Sequence, residues 1–359
     1  MRNGMRKRSR SRSKKIGMPP GALVHLGEIK TAQSTISLIE YDAARLAEKK
    51  FASLAESRAY QPGAGTLWLN VYGLHEPEVL TEVGRRFNLH PLVLEDILNT
   101  DQRPKVDDYG DYLYLVARFL DYDSASQSVN SEQVSIVLGA NFVLTFQERP
   151  TGAFDPLRER LRGDRGQIRA LGADYLAYAL LDIVVDRYFV MLEKTAERAE
   201  LLEDEMLGKV TPGVLQTIHH LRRETLNLRR AVWPLREVIN TLQRGESRFF
   251  KAATLPYLRD IYDHTVHVIE SLEAIRDQIA GLMDIYFSSI SYRVNREVRL
   301  LTVIAIMFMP AALIAGVFGM NFKIMPLLDS PAGFFVALGL MGVIGLTVGA
   351  VFWRRRLLD

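Results

Sequence analysis

Near its C-terminal end this sequence carries two long stretches without a single charge, Leu300 to Phe318 and Ala332 to Trp353. A helix needs about 20 apolar residues to cross the hydrocarbon of a bilayer, and each stretch is of that length. A soluble core can absorb one such helix. Two of them, separated only by the short segment from Gly319 to Pro331, predict a transmembrane hairpin. Arg293, Arg296 and Arg299 precede the first stretch, and Arg354, Arg355 and Arg356 follow the second. The connecting loop holds only Lys323 and Asp329. The excess of arginine on the outer flanks places both in the cytoplasm and the loop outside. Residues 1–15 are basic but no apolar run follows them, so no signal peptide is expected.

The charge is partitioned along the chain. Residues 1–15, with the run RKRSRSRSKK, carry eight basic side chains and no acid; residues 16–290 carry 30 basic and 39 acidic side chains, a net −9. The near-neutral total of +3 describes neither segment. The expected organisation is a basic tail over 1–29, an α/β domain over 30–172, and long antiparallel helices over 173–253. A stalk helix over 254–318 continues into the first span, followed by an external loop over 319–331. A second span over 332–353 and a basic cytoplasmic end over 354–359 complete it. Strands are expected at 34–41, 66–72, 112–120, 133–139 and 141–147, with a hairpin turn at Gly139-Ala140-Asn141. Helices are expected near 42–58, 76–88 and 91–99. From Thr254-Leu255-Pro256 no stop signal appears before the membrane, so Tyr257 to Phe318 reads as one helix about 93 Å long.

No enzyme signature is present. The sequence has no Walker A lysine motif, no HExxH and no GxSxG, and Gly63-Ala64-Gly65 precedes a strand rather than opening a helix. The absence of cysteine excludes Cys-ligated zinc, iron–sulfur clusters and a thiol nucleophile. An ATP-driven pump is therefore not expected; the basic tail reads as a disordered, solvated segment, and no nucleic-acid partner is expected for it.

Two patterns carry chemistry. Along the first span Asn295, Val298, Thr302, Ala305, Met309, Ala312 and Gly316 recur at spacings of three and four, with Leu301 beside them. This is a seam of small or uncharged residues, suited to helices crowding around an axis or to ordinary packing. On the stalk, Asp260, Asp263, His264 and His267 share one helix face, which reads as a solvated surface or as ligands for a cation such as zinc.

Gly319-Met320-Asn321 stands at the end of the first span, with Met309-Pro310 ten residues earlier. Together with Leu94-Glu95-Asp96-Ile97-Leu98, Gln102-Arg103-Pro104-Lys105 and Tyr257 to His264, these blocks resemble the CorA-type magnesium transporter family over roughly residues 30–359. The resemblance implies a funnel-shaped homopentamer in the inner or plasma membrane, with both termini cytoplasmic. It implies potential-driven Mg²⁺ influx, with Co²⁺ as a second cargo and Ni²⁺ as a third candidate. It places Asn295, Val298, Leu301, Met309, Ala312, Gly316 and the motif Gly319, Met320, Asn321 along the conduction path. It assigns Asp96 and a neighbour's Asp260 to a regulatory Mg²⁺ site between subunits, with Glu95 and Asp182 near a second. Phe318, Ala312, Val298 and Lys323 depart from the family's usual Tyr, Thr, Met and acid. The alternatives are a zinc transporter of the same superfamily and a non-conducting, membrane-anchored oligomeric sensor.

Overall fold

The computed structural model describes residues 17–51, 54–123, 128–208, 211–245, 247–320, 323, 325–327 and 330–354. Two compact units are distinguished: residues up to Glu203 together with Gln216–Ala280, and Asp204–Leu215 together with the residues from Gly281 onward.

The first unit contains a seven-stranded mixed sheet. Its strands are β1 (Thr35–Tyr41), β2 (Leu46–Phe51), β3 (Thr66–Tyr72), β4 (Lys105–Asp108), β5 (Leu113–Asp123), β6 (Ser128–Leu138) and β7 (Phe142–Gln147), in the order β2-β1-β3-β7-β6-β5-β4. Among these strands only β3 and β7 pair in parallel, with Leu67 opposite Phe142. The order joins two antiparallel units through that one crossover. The expected hairpin at Gly139-Ala140-Asn141 connects β6 to β7, closed by Gly139 N–H donating to Phe142 O at 2.9 Å.

Alternation along the strands sends side chains to two cores. On one face Leu38, Leu69, Val71, Val116, Leu144 and Phe146 pack with α2 (Pro77–Arg86) and α3 (Pro91–Leu98). On the other, Trp68 meets Phe154 at the start of α4 (Asp155–Arg162), and the buried Tyr188 hydroxyl of α5 (Ala173–Gly208) donates to Arg118 O at 2.6 Å. A short α1 (Leu54–Ala59) precedes β3.

The structure differs from the expected helix over 42–58. Asp42 Oδ1 accepts from the N–H groups of Ala44 and Arg45, both at 2.7 Å, which reverses the chain and lays Leu46–Phe51 against β1. The helix-forming composition of that segment yields to the local turn and to sheet pairing. β4 and α4 are additional elements; β4 is a charged, four-residue edge strand without the alternation that marks a half-buried one.

The long helices match their sequence signals closely: α5, α6 (Pro212–Gln243) and α7 (Leu255–Phe318). At 64 residues α7 extends about 96 Å at 1.5 Å per residue. The second apolar helix is α8 (Gly333–Arg354). The chain thus comprises an N-terminal α/β domain, long helices and two apolar C-terminal helices.

The starts of α5 and α7 are tied by one buried carboxylate. Asp174 Oδ2 accepts from Thr254 Oγ1 at 2.6 Å and Lys251 N–H at 3.1 Å, and Asp174 and Thr254 are both buried. Asp174→Ala would leave both donors without that acceptor in a dry site. The expected loss is about 2–3 kcal/mol of stability, read as a lower denaturant midpoint.

Candidate functional site

In the second unit the apolar helices are almost bare. Leu301, Met309 and Leu313 each keep about two-thirds of their surface exposed, and among the described residues of the first span Val303 is the buried one. A core helix of a soluble protein of this length would be mostly covered; these two need lipid or other copies of the chain around them. At 100° per residue, Asn295, Val298, Thr302, Ala305, Met309, Ala312 and Gly316 fall within an arc of roughly 100°. All are exposed. Leu301 lies at the edge of that arc. Val303 and Met307 lie roughly 130–170° from its centre. Met307 Cε sits 3.5 Å from where a Cβ on Gly349 of α8 would stand. The seam therefore lies on the side of α7 away from Met307 and its approach to α8.

Pro310 lies inside α7, which continues through it to Phe318. Gly319 N–H donates to Ala315 O at 2.9 Å, and Met320 N–H donates to Val317 O at 3.2 Å. Gly319 does not adopt the left-handed conformation that would explain a glycine at a helix end. A Cβ there would instead stand 3.1 Å from Ala315 O. The glycine thus permits a close approach of backbone rather than a left-handed stop. Asn321 lies outside the described residues, as do the basic tail up to residue 16 and Arg355 and Arg356.

The four acids singled out from sequence fall into two groups. Glu95 and Asp96 lie in the last turns of α3. Glu95 Oε2 accepts from Gly21 N–H at 2.5 Å, in an extended segment whose Leu26 pairs with the chain at Leu98 and Thr100. Asp96 is engaged on both oxygens: Gln102 Nε2 donates to Oδ1 at 2.5 Å and Lys105 Nζ to Oδ2 at 2.7 Å. Lys105 also donates to Asp107 Oδ2 at 2.6 Å. Burial opposes the Lys105 charge, but its bonds to Asp107 and Asp96 outweigh this and hold the ammonium pKa above its ordinary value.

Asp182 and Asp260 form the second group, on α5 and α7. Burial, then the neighbouring Asp186 carboxylate, push the Asp182 pKa up to about 6; His264 and Arg160 pull it down, and Asp260 adds to the rise. His264 Nε2 lies 3.9 Å from Asp260 Oδ1, and its Nδ1 is buried without a hydrogen-bond partner. His264 and His267 both rest against the Phe189 ring, at 5.9 and 5.7 Å. Among the described residues no three His, Asp or Glu side chains of one protomer are arranged to hold a metal ion. Among the described residues Asp96 and Asp260 share no polar partner within a protomer.

Missed from sequence were the Lys105–Asp96 and Lys105–Asp107 pairs and the place of Asp186 and His264 around Asp182. The Gln102–Lys105 block was visible only as part of a motif. The signal that could have found the lysine is its place beside Asp107 at the start of a strand, shortly after Asp96.

A mixed-sheet domain, long helices and an uncovered apolar hairpin define an integral membrane protein with a large water-exposed portion. The family model described as CorA-like Mg²⁺ transporter protein matches residues 63–356, and the chain belongs to this family. It is 41% identical over 344 residues to the cobalt/magnesium transport protein CorA of Thermotoga maritima, covering 96% of this chain and 98% of that one. The complete structure of the CorA magnesium transporter from Methanocaldococcus jannaschii superposes with a TM-score of 0.76 at 21% identity, over 90% of this chain and 98% of that one. The full-length CmaX protein superposes with a TM-score of 0.71 at 22% identity, over 92% and 99%. These structural likenesses bear on the fold.

Proposed function

We propose that the chain is one subunit of a homopentameric channel that carries Mg²⁺, and also Co²⁺, into the cytoplasm down the membrane potential. The observation that carries this reading is the exposed, uncharged seam of α7 set opposite its contact with α8. Five such helices arranged around an axis bring the seams together, with α8 on the outside. Family membership and the cobalt/magnesium transport name of the Thermotoga relative support the choice of ion. A divalent cation gains about 4.6 kcal/mol per 100 mV of inside-negative potential, so no ATP is needed. The arginine flanks support cytoplasmic termini in an inner or plasma membrane. Gly319 and Asn321 line the outer mouth, where backbone carbonyls and side-chain amides meet the water shell of the ion; Mg²⁺ sheds that shell reluctantly.

The test is ion flux in reconstituted vesicles under an imposed potential, with Mg²⁺, Co²⁺ and Zn²⁺ in competition. Mg²⁺ flux blocked by Co²⁺ supports the reading. Zn²⁺ preference would move the assignment to the zinc branch, and absence of flux would leave a non-conducting oligomer.

Regulation follows from the acids. Mg²⁺ bound between Asp96 of one subunit and Asp260 of the next, with a second ion near Glu95 and Asp182, bridges like charges and favours a closed ring; as cytoplasmic Mg²⁺ falls, repulsion loosens it. Replacing Asp96 and Asp260 together with Asn is expected to raise the internal Mg²⁺ needed for half shutdown by about tenfold or more. That corresponds to roughly 1.4 kcal/mol of lost coupling. Unchanged shutdown in the double variant would remove the sensor role.

A further inference from the structure

We propose that Lys105 is a tethered counter-ion at Asp96, which competes with the regulatory divalent cation and so sets the concentration at which transport shuts. This rests on the reading of Asp96 as a regulatory cation ligand.

Three observations support it. First, Lys105 Nζ stands 2.7 Å from Asp96 Oδ2 while Gln102 Nε2 occupies Oδ1, so the carboxylate has a protein donor on each oxygen. Each oxygen keeps a second lone pair, but the ammonium charge at Oδ2 opposes a divalent cation on the same carboxylate, so the two compete for it. Second, both ends of the pair are mounted on ordered backbone. The Asp96 carbonyl, in α3, accepts from Gln133 Nε2 at 3.1 Å, and Gln133 is fully buried. Lys105 opens β4, is paired with Val116 of β5, and holds its ammonium 5.4 Å from the centroid of the Tyr114 ring. The Asp96 side chain is 22% exposed and that of Lys105 33%, so water screens the contact only in part. Third, Asp107 Oδ2 lies 2.6 Å from the same ammonium. Lys105 can therefore give up Asp96 and keep a carboxylate partner. Asp107 lowers the cost of the exchange, and Asp96 passes from a lysine-neutralised to a metal-neutralised state.

Charge balance then gives two effects of opposite sign. Lys105→Met leaves Asp96 without its counter-ion. The internal Mg²⁺ for half shutdown should fall about three- to tenfold, the scale of a partly shielded ion pair with a direct hydrogen bond. Asp107→Asn removes the alternative partner and leaves the ammonium to Asp96 alone, so half shutdown should need about two- to threefold more Mg²⁺. Lys105→Arg keeps the charge and should restore a midpoint near that of the parent.

The assay is potential-driven Mg²⁺ flux of the full-length protein in vesicles, with internal Mg²⁺ varied, alongside the Asp96→Asn, Asp260→Asn double variant. Midpoints that move in opposite directions for Lys105→Met and Asp107→Asn support the proposal, since a general loss of folding would move both the same way. If the double variant loses shutdown while Lys105→Met keeps the parent midpoint, or raises it, the role of Lys105 is overturned and the sensor reading stands. If the double variant retains full shutdown, the sensor reading fails and the proposal with it.

Discussion

Asn321→Ala is expected to reduce Mg²⁺ flux by at least about tenfold while the protein still assembles and inserts. The hydrogens of waters around Mg²⁺ point outward and need acceptors. In the proposed pentamer a ring of five Asn321 amide oxygens would supply them without taking the waters away. A hydrogen bond involving a charged partner contributes about 1.5–3 kcal/mol net, and roughly 1.4 kcal/mol is already a factor of ten. Alanine offers no acceptor, so a hydrated ion at the mouth would lose that ring. Asn321→Asp is the informative companion. Five carboxylates would hold a divalent cation more tightly, and a channel needs binding weak enough for the ion to leave. Its expected outcome is cation binding with reduced throughput, seen as a lower half-saturating Mg²⁺ concentration and a lower maximal flux. Parent-like flux and ion order in Asn321→Ala would exclude selection by the outer water shell at this position.

The membrane hairpin and the long helices were legible because their signals are local. A charge-free run as long as Leu300 to Phe318, or a helical pattern with no Gly or Pro stop, needs no knowledge of the rest of the chain. The seam was legible for the same reason; its orientation was not, because that depends on Met307 meeting Gly349. The sheet order was hidden because β3 and β7 pair although α2, α3 and three strands intervene between them in the chain. β2 was misread because Ala, Glu and Lys favour helices, while its placement is decided by Asp42 and by β1. The acids Glu95, Asp96, Asp182 and Asp260 came from family resemblance. What resemblance did not supply was their company. Lys105 reaches Asp96 from a strand too short and too charged to be expected; Asp186 stands one turn after Asp182 on α5, and His264 comes to Asp182 from α7.

That company makes Asp182→Asn the second prediction of large effect. The Asp182 pKa is raised to about 6, chiefly by burial and next by Asp186. For an acid raised in the folded state the native protein holds its proton where the unfolded chain has lost it. The associated stability is fully present below about pH 4. It is lost as pH rises from there to about 6, and the whole penalty is present at pH 7. At roughly 1.36 kcal/mol per pKa unit, it amounts to at most about 3 kcal/mol per subunit in metal-free protein. The isosteric amide carries no charge. In chelator at pH 7, Asp182→Asn should therefore denature at a higher temperature than the parent, and its midpoint should vary less between pH 4 and 6. A divalent cation bound near Asp182, as proposed, would offset the same repulsion in the parent. Added Mg²⁺ should accordingly raise the parent midpoint more than that of the variant, and the two should converge at saturating Mg²⁺. A variant less stable than the parent in chelator at pH 7 would mean that the Asp182 charge is already compensated in the metal-free state. In that case its repulsion could not help to loosen the ring when cytoplasmic Mg²⁺ falls.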